Sequence, residues 1–171
     1  MGGEIKVESS KSRTDFTFKI PYEIAKKRVL QNKDLVSPIK ELKILMAEDD
    51  QLNGQLFKDL IQNTGNNVTV DWVINGEEVM EKVASKHYNI ILMDIEMPLK
   101  NGFETSSEIR KSENKKINNI PIIAMTAHLV EDVLERCYQN GIDDCISKPF
   151  QLEMLYKKIS ETIKNLSLIH I

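Results

Sequence analysis

Five times after residue 41 a short apolar run gives way to a stretch with helical spacing, and few folds accept that pattern. The runs are Leu42–Ala47, Val68–Val73, residues 88–93, residues 120–125 and the short pair Cys145-Ile146. Most are apolar throughout rather than alternating, as expected of strands buried on both faces. After the first comes 51–64, with Leu52, Leu56, Phe57, Leu60 and Ile61 at helical spacing and Gly65 as its stop. After the second, Asn75 can cap a helix carrying Val79, Met80 and Val83. Gly102–Lys111 is a weaker amphipathic stretch, 130–138 is closed by Asn140-Gly141, and 151–164 places Leu152, Leu155, Ile159 and Ile163 on one face. The pattern predicts an α/β domain, a doubly wound five-stranded parallel sheet with helices on both faces. The working site of such a sheet lies beyond the carboxyl ends of its strands.

The first 41 residues do not share this rhythm. Residues 4–8 and 15–20 alternate apolar and polar side chains around a polar turn at 9–14, which predicts an N-terminal β-hairpin. Two strands alone are marginal in water, so the hairpin should belong to a sheet whose other strands are not in this chain. Residues 22–30 form a short helical or irregular piece, and 31–40, polar and closed by Ser37-Pro38, a linker. Charge divides at the same place: residues 1–43 carry ten Lys/Arg against six Asp/Glu, and residues 44–171 thirteen against twenty. So acidic a body repels a phosphate backbone, which argues against nucleic acid as a partner and favours cations.

With 171 residues, 41% hydrophobic and 29% charged, the chain has globular composition and needs no disulfide or metal staple. Its longest apolar runs, 90–93 and 120–125, fall far short of the ~20 residues of a membrane helix, so no membrane contact is expected. The N-terminus lacks a signal-peptide stretch, and Cys137 and Cys145 read as reduced packing thiols. The expected location is cytoplasmic.

The carboxyl ends of the strands carry the chemistry. The first delivers Glu48, Asp49 and Asp50, the third Asp94, the fourth Thr126, and the fifth Lys148 followed by Pro149. Uncompensated carboxylates crowded on one rim would raise their own pKa values, and a hard divalent cation resolves the repulsion. An all-oxygen set with room for water suits Mg²⁺. Metal beside a carboxylate, an ammonium and a hydroxyl is the equipment of phosphoryl transfer, and no Gly-rich loop indicates a bound nucleotide.

Four stretches resemble the receiver domain of response regulators and hybrid histidine kinases. They are Ile44-Leu45-Met46-Ala47-Glu48-Asp49-Asp50-Gln51-Leu52-Asn53, Ile91-Leu92-Met93-Asp94-Ile95-Glu96-Met97-Pro98-Leu99-Lys100-Asn101-Gly102, Ile122-Ile123-Ala124-Met125-Thr126-Ala127 and Ser147-Lys148-Pro149-Phe150. The resemblance covers 42–165 and implies a flavodoxin-like sheet of order 2-1-3-4-5. It implies that Asp94 is the phosphoacceptor, attacking a phosphohistidine on a histidine kinase or histidine phosphotransfer domain. Glu48, Asp49, Asp94 and the backbone carbonyl of Glu96 would hold Mg²⁺. Thr126 and Lys148 would bond the phosphoryl group, with a cis Lys148-Pro149 bond. In two places the chain departs from the family. Asp50 stands where hybrid kinases often have asparagine, and Cys145 where the family usually has a Tyr or Phe that turns inward on activation.

Met1-Gly2-Gly3-Glu4-Ile5-Lys6-Val7-Glu8-Ser9, followed by Phe16-Thr17-Phe18-Lys19-Ile20-Pro21, resembles the last two strands of a histidine-kinase ATPase domain. The implied organisation is an ATPase-domain remnant at 1–21, a linker at 22–41, a receiver at 42–165 and a tail at 166–171. A parent kinase, which could itself be membrane-anchored, would carry the ATP site and phosphorylatable histidine upstream. This chain would only promote phosphorylation of its own aspartate. The 166–171 tail is too short for an effector domain, which favours a relay or phosphate-sink role.

Two other classes compete. One is a phosphate-independent protein-docking module, which Cys145 keeps open and intact Glu48, Asp49, Asp94, Thr126 and Lys148 weigh against. The other is a flavodoxin-like redox protein, which would need a phosphate-cradling first loop that this chain lacks. Simpler readings hold for the other candidates. Asp50 offsets a helix dipole, His87, His128 and His170 have no ligand spacing, Met46, Met93 and Met125 fill core, and Trp72 packs at a strand end.

Overall fold

The computed structural model describes residues 4–10, 13–19, 41–63 and 67–169. The expected pieces at 22–30 and 31–40 and the Gly65 helix stop lie outside them. The chain divides into two compact units, Met1–Gln31 and Asn32–Ile171.

In the first unit β1 (Glu4–Ser9) and β2 (Thr14–Lys19) form the expected antiparallel hairpin, with Ile5 opposite Phe18 and Val7 opposite Phe16. Cross-strand partners share a sheet face, so Val7 and Phe16 stand on the same side of the hairpin. Ile5, Val7 and Phe16 are all exposed.

The second unit runs β3 (Leu42–Ala47), α1 (Gln51–Gln62), β4 (Val68–Val73), α2 (Gly76–Ser85), β5 (Ile90–Asp94), α3 (Gly102–Lys111), α4 (Lys115–Asn118), β6 (Ile122–Thr126), α5 (Glu131–Gln139), β7 (Asp144–Ser147) and α6 (Leu152–Ile169). Its five strands pair in parallel in the order β4-β3-β5-β6-β7, which is 2-1-3-4-5 counted within the sheet. Strand alternation divides the core in two. Leu45, Ala47, Ile91, Met93, Ile122, Ala124 and Cys145 pack with residues of α2, α3 and α5. Ile44, Met46, Ile90, Leu92, Ile123, Met125 and Ile146 pack against α1 and α6. Both sides of the central strands are covered, which is why their sequences are continuously apolar.

Local chemistry sets the helix starts. Asn75 caps α2 through Glu78 N–H, and Asn101 and Glu104 form a reciprocal capping box on α3. The single turn α4 was not expected: four residues give no apolar period, and its signal is only Asn114, which accepts from Lys116 N–H. Helix α6 also continues beyond residue 164 to Ile169.

At the amino ends of β6 and β7 one guanidinium ties the connections together. Arg110 of α3 donates to the carbonyls of Gly141 (2.7 Å), Asn118 (2.6 Å) and Ile120 (2.9 Å) and to Asp143 Oδ2 (2.8 Å). The same Asp143 oxygen accepts from Ile122 N–H at 2.7 Å. Substituting Arg110 strands three carbonyls and a largely buried carboxylate. Arg110→Met should cost about 3 kcal/mol in urea unfolding, and a loss below about 1 kcal/mol would show the cluster to be incidental.

Candidate functional site

Strand register brings the expected residues to one rim. Ala47 lies opposite Met93 and Asp94 opposite Met125, so Glu48, one residue past β3, stands beside Asp94 at the end of β5. Thr126 pairs with Ser147, and Lys148 N–H donates to the Thr126 carbonyl at 2.7 Å. That bond carries the lysine from the sheet's edge toward its centre. The Lys148-Pro149 peptide is cis, as expected.

One ammonium bridges two buried carboxylates. Lys148 Nζ lies 2.5 Å from Glu48 Oε2 and 2.6 Å from Asp94 Oδ2. Glu48 is 1% exposed and Asp94 6%. The other oxygen of Asp94 accepts from Glu96 N–H at 3.1 Å, and Asn53 Nδ2 reaches Glu48 Oε1 at 3.4 Å. Carboxylate oxygens of Glu48, Asp49 and Asp94 all lie within 4.8 Å of one another. Against three acids stands one ammonium, so the cluster is left negative. It opens to solvent through exposed Asp49, in a cleft of about 440 Å³ lined also by Asp50, Asn53, Glu96, Thr126 and Ala127.

Not every expected residue joins the cluster. Asp50 caps α1, accepting from Asn53 N–H at 2.8 Å, which matches its helix-terminus reading. Thr126 lines the cleft, but its hydroxyl is engaged by the next loop, accepting from His128 N–H (3.1 Å) and donating to His128 carbonyl oxygen (3.2 Å). Cys145 is buried in the core with Cys137. Asn53 and Gly102 also shape the site, although neither carries a separate role in the sequence pattern. A Cβ on Gly102 would lie 2.3 Å from the Asp94 carbonyl oxygen, so only glycine lets the segment after Asp94 fold back against the strand end. A glycine opening a helix was the available signal.

Burial sets the electrostatics. It pushes the Glu48 and Asp94 carboxyls above their ordinary values, against the lowering pull of Lys148. Burial alone would depress the Lys148 ammonium, but its bonds to Asp94 and Glu48 hold it above its ordinary value. The donor set is all oxygen, anionic and open to water, which fits a small hard divalent cation such as Mg²⁺.

A doubly wound parallel sheet with a buried, lysine-bridged acidic cluster beyond its central strands has the charge arrangement that cation-dependent phosphoryl transfer requires. The model of the response regulator receiver domain matches residues 44–160, and the chain belongs to that family. Hybrid signal transduction histidine kinase I of Dictyostelium discoideum is 36% identical over 126 residues, covering 71% of this chain and 7% of that protein. Sensor protein EvgS of Escherichia coli K12 is 29% identical over 165 residues, 94% of this chain and 13% of EvgS. The chain thus spans a small part of these relatives. The receiver domain of a sensor histidine kinase from Pseudomonas aeruginosa PAO1, solved with magnesium coordinated in its active site cleft, is 29% identical. It aligns with a TM-score of 0.65 over 72% of this chain and 98% of its own. A two-component response regulator from Clostridium difficile aligns equally well, with a TM-score of 0.65 at 27% identity over 74% of this chain and 98% of that one. Family and relatives together place the chain in two-component signalling. No described helix is long and apolar enough to cross a membrane.

For Glu48 and Asp94 the folded state holds a proton more tightly than the unfolded chain. Their stabilising contribution is therefore fully present below the unfolded carboxylate range, about 3.9–4.3, and is lost as pH rises through the folded values. A carboxyl-carbon NMR titration of the metal-free protein should show both titrating above that range. An Asp94 midpoint at or below the ordinary value would contradict the burial argument.

Proposed function

We propose that residues 42–165 act as the phosphoacceptor receiver of a hybrid sensor histidine kinase, taking a phosphoryl group from phosphohistidine onto Asp94. The observation that carries this reading is the buried Asp94 carboxylate, bonded to Lys148 and crowded by Glu48 and Asp49. Glu48, Asp49, Asp94 and the Glu96 backbone carbonyl would hold Mg²⁺, which supplies charge neutralisation for the phosphoryl oxygens. An Asp94 oxygen attacks phosphorus; the new O–P bond forms as the N–P bond breaks, and its electron pair returns to the donor imidazole. Lys148, already 2.6 Å from Asp94, pairs with a phosphoryl oxygen, and Thr126 turns its hydroxyl from His128 to another. The product aspartyl phosphate adds about two negative charges to a site built to register charge.

The partners of this reading are the phosphohistidine domain of a histidine kinase and a histidine phosphotransfer domain. Residues 1–21 are read as the last strands of the kinase ATPase domain, 22–41 as a linker and 166–171 as a tail. Supporting this are the hairpin's exposed apolar side chains and the EvgS match, whose 94% coverage takes in most of the segment before residue 42. Reduced thiols at Cys137 and Cys145 agree with a cytoplasmic location. The burial of Cys145, where the family usually has a mobile ring, favours a second reading as a phosphate-independent docking module.

Transfer from a purified phosphohistidine donor separates the two. Radiolabel should pass to the wild-type chain in Mg²⁺, and fall at least about a hundredfold with chelator or in Asp94→Asn, since a nucleophile or charge-stabilising group is then missing. Stable complex formation with no label transferred would support docking instead.

A further inference from the structure

The turn that presents Glu48 and Asp49 is held from a side the chemistry does not touch. Trp72, in β4 and paired with Met46, donates its indole N–H to the Glu48 backbone carbonyl at 2.8 Å. Glu48 N–H donates to the Val73 carbonyl at 3.0 Å. Both backbone polar groups of Glu48 are thus anchored to the end of β4, while its side chain points into the acidic cluster. The same indole supports the first turn of α1. A Cβ on Gly54 would fall 2.2 Å from Trp72 Cε2, so the helix backbone rests directly on the ring. Gly54 in turn donates its N–H to the Asp50 carbonyl at 2.8 Å, closing the turn. Residues 48–54 are therefore clamped between a strand end and an aromatic plane.

We infer that Trp72 is a positioning residue for the acidic site, fixing through its indole N–H the backbone turn that aims Glu48 and Asp49 at a bound cation. This rests on the reading of that cluster as a Mg²⁺ site. Ligating carboxylates need their approach fixed, because three acids close together repel one another and an unrestrained turn would swing them apart. Lys148 restrains the Glu48 side chain, whereas the exposed Asp49 side chain has no hydrogen bond or ion pair among the described residues and is held through its backbone. A hydrogen bond to the peptide joining the two acids restrains both. The indole lies outside the cleft, so Trp72 is not a catalytic residue.

Trp72 is the chain's only tryptophan, so residue-specific replacement by its benzothiophene analogue changes this ring alone. The analogue preserves shape and packing on Gly54 and removes only the N–H. Mg²⁺ binding by calorimetry should weaken about tenfold, the lower end for a group that orients a ligand. Backbone amides of 49–53 should exchange faster in the metal-free protein while those of β5 and β6 are unchanged. Trp72→Phe should reproduce the loss of affinity. Mg²⁺ binding by the analogue equal to that of the unmodified chain would overturn the inference, even if Trp72→Phe binds weakly, because packing alone would then explain the variant. An unmodified chain that binds no Mg²⁺ would overturn the reading of the site and this inference with it.

Discussion

One ammonium, Lys148, bridges Glu48 and Asp94, and the placement of the strands around it follows from that contact. Two carboxylates packed side by side at the end of a buried sheet repel each other and lose most of their hydration. The chain resolves this with a single ammonium delivered from the sheet's far edge. Its delivery requires the strand order, because β5 must sit between the strand that brings Glu48 and the strands that lead to Lys148. It also requires the register, since a slip of one residue would turn Asp94 away from its partners. The bridge compensates only part of the charge, and the remainder faces the cleft, where a cation can complete it.

Stability and chemistry sit at opposite ends of the strands. The amino ends are sewn together by Arg110, whose partners are the carbonyls of Asn118, Ile120 and Gly141 and a carboxylate that also accepts from the first residue of β6. At the carboxyl ends the polar groups do not reach the same satisfaction. Glu48 and Asp94 are held above their ordinary carboxyl range by burial, and the Thr126 hydroxyl, among the described residues, is bonded to His128 of its own loop. The cost of that frustration is borne by two apolar layers packed on either side of the sheet. Close approaches at Gly54 and Gly102 bring backbone to where a side chain would stand, and so compress the site.

Where residue type and period carry the information, the sequence was legible. Continuous apolar strands such as 90–93 marked the sheet, and Asn75 marked a helix start. The acids and lysine ending the strands converge because a parallel sheet aligns those ends. What escaped was set by contacts between distant segments or by single turns. Helix α4 has too few residues for a period. The fourfold clasp of Arg110 depends on loops that meet only once folded, and the bond from Trp72 to the Glu48 carbonyl joins residues 24 apart in sequence. The place of Thr126 on the cleft rim was legible from the end of its strand, but the tie of its hydroxyl to the His128 backbone is a local turn that no spacing rule reports.

Whether Asp94 accepts a phosphoryl group in a cation-dependent step can be measured with a small donor and no partner protein. After incubation with acetyl phosphate, intact mass and peptide fragmentation should show one phosphoryl adduct, located on Asp94, formed in Mg²⁺ and absent with chelator. An adduct on another residue, one that forms equally well with chelator, or none under conditions that label a control receiver, would show that Asp94 is not a cation-dependent phosphoacceptor.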